Sequence, residues 1–290
     1  MSISKTAFAL LVPLLWGTQY AIIKVGLEVF PPLFFVGLRF AIVAAILLPF
    51  VGCPSRKTIW PIIGISIFMG GLNFGLTFAA LAHGQAGVSS VINQLSSPFM
   101  VLLAWPMLRD RPATRVMIGV ALAFSGVVLI MIGPNSSVAL LPALLIAGSA
   151  FSLAVGSVLT KRYGPFEPLM LLGWMSLFTV PQVLAASLLL EHGQLSSVHH
   201  ATLATWLALS YTVVFGGIIA FSVWFRLIAE YSIGTVAPFA LLQIVFAVGA
   251  GVVFLNETMT WSIGVGAVIC VCGVLITQRQ SKHMSHVSVQ

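Results

Sequence analysis

Read for its alternation of apolar and polar stretches, the chain divides into ten runs of mostly apolar residues, each bounded by charges or by Gly, Pro, Asn and Ser. The runs cover roughly 6–26, 32–51, 59–82, 86–107, 114–132, 139–160, 168–190, 202–225, 233–255 and 260–278. Each is about 20 residues long, the length a helix needs to cross a hydrocarbon core about 30 Å thick at about 1.5 Å per residue. The pattern therefore predicts an all-α integral membrane protein with ten transmembrane helices. The first run has no small-residue cleavage site and continues into Lys24 and Glu28, so it is read as a retained helix and not a removed signal.

Composition agrees with this reading and narrows it. Of 290 residues, 59% are hydrophobic and 7% charged, with mean hydropathy +1.10, and six acids with thirteen bases cannot coat a water-facing surface of this size. A soluble enzyme or secreted module is excluded. The net charge of +7 would suggest nucleic acid in a soluble protein, but basic residues also accumulate in cytoplasmic loops of multispanning chains. Alternate loops separate in this way. One set holds Lys5, Arg56, Lys57, Arg109, Arg111, Arg115, Lys161, Arg162, Arg226, Arg279 and Lys282, while the other holds Glu28, His83, the 191–200 stretch and Glu257. Both termini are thus expected in the cytoplasm. Cys53, Cys270 and Cys272 form neither a disulfide framework nor a metal-ligand spacing and are read as small packing residues.

The chain also repeats itself. Leu108-Arg109-Asp110 followed by Gly119 and Gly126 has the spacing of Leu255-Asn256-Glu257 followed by Gly266 and Gly273, and Pro32-Leu33 with Gly37 resembles Pro168-Leu169 with Gly173. The expected units are 1–133, spans 1–5, and 134–290, spans 6–10 with a short cytoplasmic tail. Five helices is an odd number, so two such halves must lie upside down relative to one another. Inverted halves of this kind can open to either side around one midplane site, which is how secondary transporters work.

Trp16-Gly17, Ile23-Lys24-Val25-Gly26-Leu27, Pro31-Pro32-Leu33 and Gly37-Leu38-Arg39-Phe40, with the two Leu-x-Asp/Glu sites, resemble the EamA-type drug/metabolite transporters over roughly 6–133 and 142–278. The resemblance implies a ten-helix exporter of two inverted repeats. The opening segment is especially similar to bacterial exporters of O-acetylserine, cysteine and related amino-acid metabolites, which implies a protein of the bacterial inner membrane. Two positions depart from the family pattern. Asp110 stands where Glu is usual, and Gln243-Ile244 stand where some relatives carry a residue followed by Pro, which leaves Pro238 as the candidate kink in the ninth span.

On the first span Pro13, Trp16, Tyr20 and Lys24 recur at helical steps with Gln19 beside them. Asn73 with Thr77, Ser90 with Gln94 and Ser97, and Ser149 with Ser152 and Gly156 form similar stripes on the third, fourth and sixth spans. Such stripes either line a pathway or hydrogen-bond helix to helix, since an unpaired polar group in hydrocarbon is costly. Arg39 lies about 10 Å along its helix from Pro31-Pro32, where a cation needs a partner, a cavity or room to snorkel. Lys24 sits nearer a span end, with Glu28 as its i+4 neighbour. The six acids, Glu28, Asp110, Glu167, Glu191, Glu230 and Glu257, all fall at span edges or loops, so neither cation has an evident intramembrane counter-ion. The candidate substrate-binding residues are Lys24, Arg39, Trp16, Gln19, Tyr20, Asn73, Gln94 and Gln243, with a carboxylate-bearing solute as the expected partner of the cations. Asp110 and Glu257 are expected to serve the N-termini of the helices that follow them.

No metal, cofactor or catalytic residue is expected, because no HExxH, GxSxG, P-loop or intramembrane acid pair is present. The expected partners are a small-molecule substrate and the lipid bilayer, without nucleic acid, and a homodimer is left open. His83 is the nearest approach to a proton relay, so uniport, exchange and antiport all stay open. The alternatives are an exporter of other small organic solutes or drugs, or a membrane channel or sensor.

Overall fold

The computed structural model describes residues 3–108, 111–133, 138–230 and 239–278. Helices α1 (Ile3–Leu27) and α2 (Pro32–Leu47) are joined by a turn that Pro31 and Pro32 stop and restart, since proline fits the first turn of a helix but not its interior. Then come α3 (Arg56–His83), α4 (Ala86–Met107), α5 (Thr114–Ile132), α6 (Leu140–Tyr163) and α7 (Pro168–Leu190). A short α8 (Gln194–His200) leads into α9 (Leu203–Trp224, helical on to Glu230), α10 (Gln243–Leu255) and α11 (Trp261–Gln278). Among the described residues there is no strand.

Eight of these helices are long and apolar enough to cross a membrane, and Gln243–Leu255 and Trp261–Thr277 are shorter apolar helices. The ten expected runs are thus met by eight membrane-length helices and two short ones. In the ninth run the described helix starts at Gln243, after a turn at 241–242; residues 231–238, with Pro238, lie outside the described residues, as do Arg109, Asp110, Arg279 and Lys282. Capping fixes several ends. Glu167 accepts from the backbone N–H of Leu169 (3.1 Å) and Met170 (2.5 Å) and caps α7, and Asn256, at φ 52°, ends α10 in the left-handed conformation that asparagine tolerates.

The helix pairings follow the internal repeat. Helices α1 to α5 correspond to α6, α7, α9, α10 and α11. The contacts α1–α10 and α1–α9 match α6–α4 and α6–α3, the contact α2–α9 matches α7–α3, and α2–α7, α4–α10 and α5–α11 are each paired with their own counterpart. Exchanging the halves leaves this set unchanged. The closest pair is α5 with α11, where the four repeat-matched glycines meet: a Cβ on Gly126 would stand 2.6 Å from the Gly266 carbonyl, and one on Gly273 2.6 Å from the Gly119 carbonyl. Backbones can approach this closely only without side chains, the usual device of helices packing in lipid. Large apolar side chains that remain exposed, such as Ile118, Leu188, Leu207, Val245 and Val268, supply the apolar surface that hydrocarbon solvates.

Candidate functional site

In both halves the helices that reach the middle of the bundle are irregular at corresponding places. Within α4 the hydrogen bonds tighten at residues 94–95, with Gln94 N–H donating to Val91 O (3.1 Å) and Leu95 N–H to Ile92 O (3.0 Å). Ahead of α10 the same tightening occurs at 241–242, with Leu242 N–H to Phe239 O (3.0 Å) and Ile244 N–H to Leu241 O (3.1 Å). The register that pairs Asp110 with Glu257 also pairs 94–95 with 241–242. A proline at 244 is therefore not needed for the break. Helices α3 and α9 each contain a π segment, Ser66–Leu72 with Gly70-Gly71 and Val214–Ile219 with Gly216-Gly217. Broken helices and π segments inside a membrane bundle persist where they line a cavity or are buried in protein.

Between them lies a cavity of about 290 Å³, at the small end of the roughly 300–1,000 Å³ typical of small-molecule sites. Its polar wall is Gln19, Tyr20, Arg39, Asn73, Thr77, Asn93 and Gln243, and its apolar wall includes Trp16, Phe40, Phe74, Phe78 and Phe221. The cavity continues to Pro168 and Leu171 at the start of α7, the end of the bundle away from Lys24.

Arg39 is 3% exposed. Its Nε donates to the Thr212 carbonyl (3.2 Å), its guanidinium lies over the Phe74 ring (4.2 Å to the centroid), and its Nη1 has no partner. No carboxylate lies against it among the described residues. Cation–π attraction offsets part of the desolvation cost, but an unpaired donor in low dielectric still costs about 1–3 kcal/mol or more. Gln19, 8% exposed, packs its Oε1 on Gly216, where a Cβ would collide with it, and that oxygen also has no partner. Trp16 Nε1 donates to the carbonyl of the same glycine (3.1 Å). Asn93 Nδ2 donates to the Tyr20 hydroxyl (2.6 Å), and Asn93 Oδ1 is without a partner. Gln19, Arg39 and Asn93 carry all the unpartnered buried side-chain polar atoms found among the described residues. All three residues line this cavity.

Of the eight residues singled out in the sequence, Trp16, Gln19, Tyr20, Arg39, Asn73 and Gln243 line the cavity. Asn73 is also helix-to-helix glue, its Nδ2 donating to the Ser149 carbonyl (3.0 Å) and hydroxyl (2.8 Å), with Thr77 and Ser149 hydroxyls 2.6 Å apart. Gln94 falls in the α4 break and is not among the lining residues. Lys24 is not in the lining either. Its Nζ donates to the Gly84 carbonyl (2.6 Å) and pairs with Glu257 (3.3 Å), whereas Glu28 is exposed. The expectation that both cations lack a counter-ion is thus corrected for Lys24: its partner comes from the other half, brought close by the α1–α10 contact.

Glu257 is corrected too. It serves a helix N-terminus, but that of α4, accepting from Ala86 N–H (2.7 Å) and Gly87 N–H (3.1 Å), while Thr260 Oγ1 accepts from Ile263 N–H (3.4 Å) at α11. Glu191 acts likewise across the halves, accepting from Leu33 N–H (2.7 Å) and Phe34 N–H (3.1 Å) at the start of α2. Asn93 was missed in the sequence. It precedes Gln94, and only the break at 94–95 makes clear which of the two amides belongs to the cavity. The Gly216-Gly217 pair was also missed, although its match to Gly70-Gly71 was a signal available in the repeat.

The pattern of the EamA-like transporter family matches residues 4–132 and 140–279, one match per half. The chain is 32% identical to a probable amino-acid metabolite efflux pump of Salmonella typhimurium over 286 residues, covering 95% of each protein. It is 31% identical to the protein of the same description from Escherichia coli, again with 95% of each covered. An uncharacterized inner membrane transporter of Escherichia coli, YedA, is 26% identical over 85% of this chain and 81% of its own length. A solved crystal structure with 21% identity superposes with a TM-score of 0.61, covering 94% of this chain and 98% of that one, which establishes likeness of fold.

Proposed function

The chain belongs to the EamA-like transporter family, and from that premise we propose that it is a secondary exporter of small amino-acid-type metabolites, O-acetylserine and cysteine among them, held in the central cavity by Arg39. It is a multispanning membrane transporter and not an enzyme. The observation that carries the finer reading is Arg39 itself: a buried guanidinium with a free Nη1, faced by no acid among the described residues, on a cavity sized for a metabolite. A carboxylate on the cargo supplies the missing acceptor through a charge-assisted hydrogen bond. The Phe40, Phe74 and Phe221 walls take up the rest of a small solute.

Ten spans in two inverted repeats, divided near 133/134 and with both termini in the cytoplasm of a bacterium, give this site access to each side in turn. The self-consistent exchange of helix pairings supports that arrangement. In this conformation the Lys24 end is bound across the halves by Lys24 with Glu257, and the cavity reaches Pro168 at the other end. With the basic loops in the cytoplasm, this is an inward-facing carrier loading from the cytoplasm.

Purified protein in liposomes tests the reading. Labelled O-acetylserine, cysteine and a panel of other amino acids are expected to show saturable uptake that internal unlabelled substrate accelerates. Unsaturable flux without acceleration would indicate a pore, and movement of unrelated organic solutes alone would discard the amino-acid assignment.

A further inference from the structure

Two of the three unpartnered polar atoms carried by residues that line the cavity are acceptors, and the carboxylate reading leaves both unexplained. Arg39 Nη1 is a donor, whereas Gln19 Oε1 and Asn93 Oδ1 are carbonyl oxygens. Their orientations are fixed locally. The Asn93 amide is turned so that its Nδ2 reaches the Tyr20 hydroxyl (2.6 Å), which directs its oxygen away from Tyr20. Gln19 Oε1 rests on Gly216, and the Arg39 guanidinium lies beside Gly217, with Nη2 3.9 Å from where a Cβ would be. The Gln19 carbonyl and the Arg39 guanidinium thus sit on adjacent glycines of one π segment, and Asn93 joins them through the neighbour of Gln19 in α1.

We propose that Gln19 and Asn93 form a cation-accepting subsite beside Arg39, so that the cavity recognises a zwitterion: the carboxylate goes to Arg39 and a free primary ammonium to the two amide oxygens. This rests on the carboxylate reading above and adds a requirement to it. An ammonium carries three donors and no acceptor, which suits a pair of orphaned carbonyls; an N-acylated amine offers one donor and no charge, and a des-amino acid offers none. Neutral amides, unlike carboxylates, leave the net charge of the site positive when empty and do not compete for Arg39. A site built to hydrogen-bond a group rejects the analogue that lacks it far more strongly than an apolar pocket can.

The test is counterflow in liposomes with three probes of similar size: O-acetylserine, N-acetylserine and 3-acetoxypropionate, the des-amino analogue. The full chain is expected to carry O-acetylserine at least about tenfold faster than either of the others. Gln19→Leu and Asn93→Leu are expected to shrink that preference by lowering the rate for the zwitterion only. Asn93→Gln, which keeps a neutral amide with an acceptor oxygen, is expected to keep the preference, so misfolding of the leucine variants does not mimic the result. Equal transport of O-acetylserine and 3-acetoxypropionate would overturn the ammonium subsite, assign the two oxygens to water and leave the carboxylate reading standing. Transport of none of the three, with other amino acids also unmoved, would remove both.

Discussion

Among the described residues two cations, Lys24 and Arg39, stand inside the bundle, and their surroundings could hardly differ more. Lys24, near the end of α1, is held by a carbonyl and by Glu257 from the opposite half, and Glu257 is itself held by two backbone N–H groups of α4. Arg39, deeper in α2, has one carbonyl, an aromatic face and an Nη1 without a partner, on a residue that lines a cavity. The first region is a closed set of donors and acceptors that ties three segments together. The second is deliberately incomplete, and incomplete polar sites in hydrocarbon are where ligands bind. On the reading proposed above, charge inside the membrane has two separate roles here, bracing and recognition, and the difference lies in whether the protein itself completes the hydrogen bonds.

The sharpest way to break this contrast is at Arg39. Arg39→Gln is expected to lower saturable transport by about 10- to 100-fold at matched protein, corresponding to the roughly 1.5–3 kcal/mol of a hydrogen bond to a charged group, measured as initial uptake into liposomes. Next in size is the brace. Glu257→Ala is expected to lower the detergent melting temperature more than Lys24→Ala, because Glu257 serves two backbone donors as well as the lysine and a lost cap alone costs about 0.5–2 kcal/mol. The double variant is expected to lose less than the sum of the two, as contacting residues do. Additive losses would mean that the pair is not coupled.

Smaller again is Gly216→Ala. The added methyl displaces the Gln19 amide, the far end of a flexible side chain, so apparent affinity is expected to fall severalfold while the melting curve barely moves. Gln94→Ala is the control at the low end. Since Gln94 is not in the cavity lining, the change is expected to stay within about 0.5 kcal/mol in stability, with transport close to that of the unaltered protein. A large loss there would place a second polar site on α4.

The membrane class, most of the helices and the repeat were legible because each rests on local pattern: apolar runs of spanning length, bases sorted to alternate loops, and matched glycine spacings. Arg39 was legible for the same reason, as a charge far from any span end. What sequence could not supply was the pairing between halves. Glu257 lies far from Lys24 along the chain, and the nearer Glu28 was the natural partner until α10 was seen against α1. Asn93 was hidden similarly, since a regular helix would not have told it from Gln94; Pro98, which has no N–H to donate to the Gln94 carbonyl, was a local signal of the break at 94–95. The turn at 241–242, to which both the repeat relation to 94–95 and the nearby Pro238 point, sets where the described helix of the ninth span begins.

The central claim is that the unfilled guanidinium, and not the braced ammonium, receives the cargo. Equilibrium binding of labelled O-acetylserine to purified protein in detergent, with no transport involved, compares the two directly. Saturable binding that is lost in Arg39→Gln and retained in Lys24→Gln is the predicted result. Binding that survives in Arg39→Gln and disappears in Lys24→Gln would contradict the account.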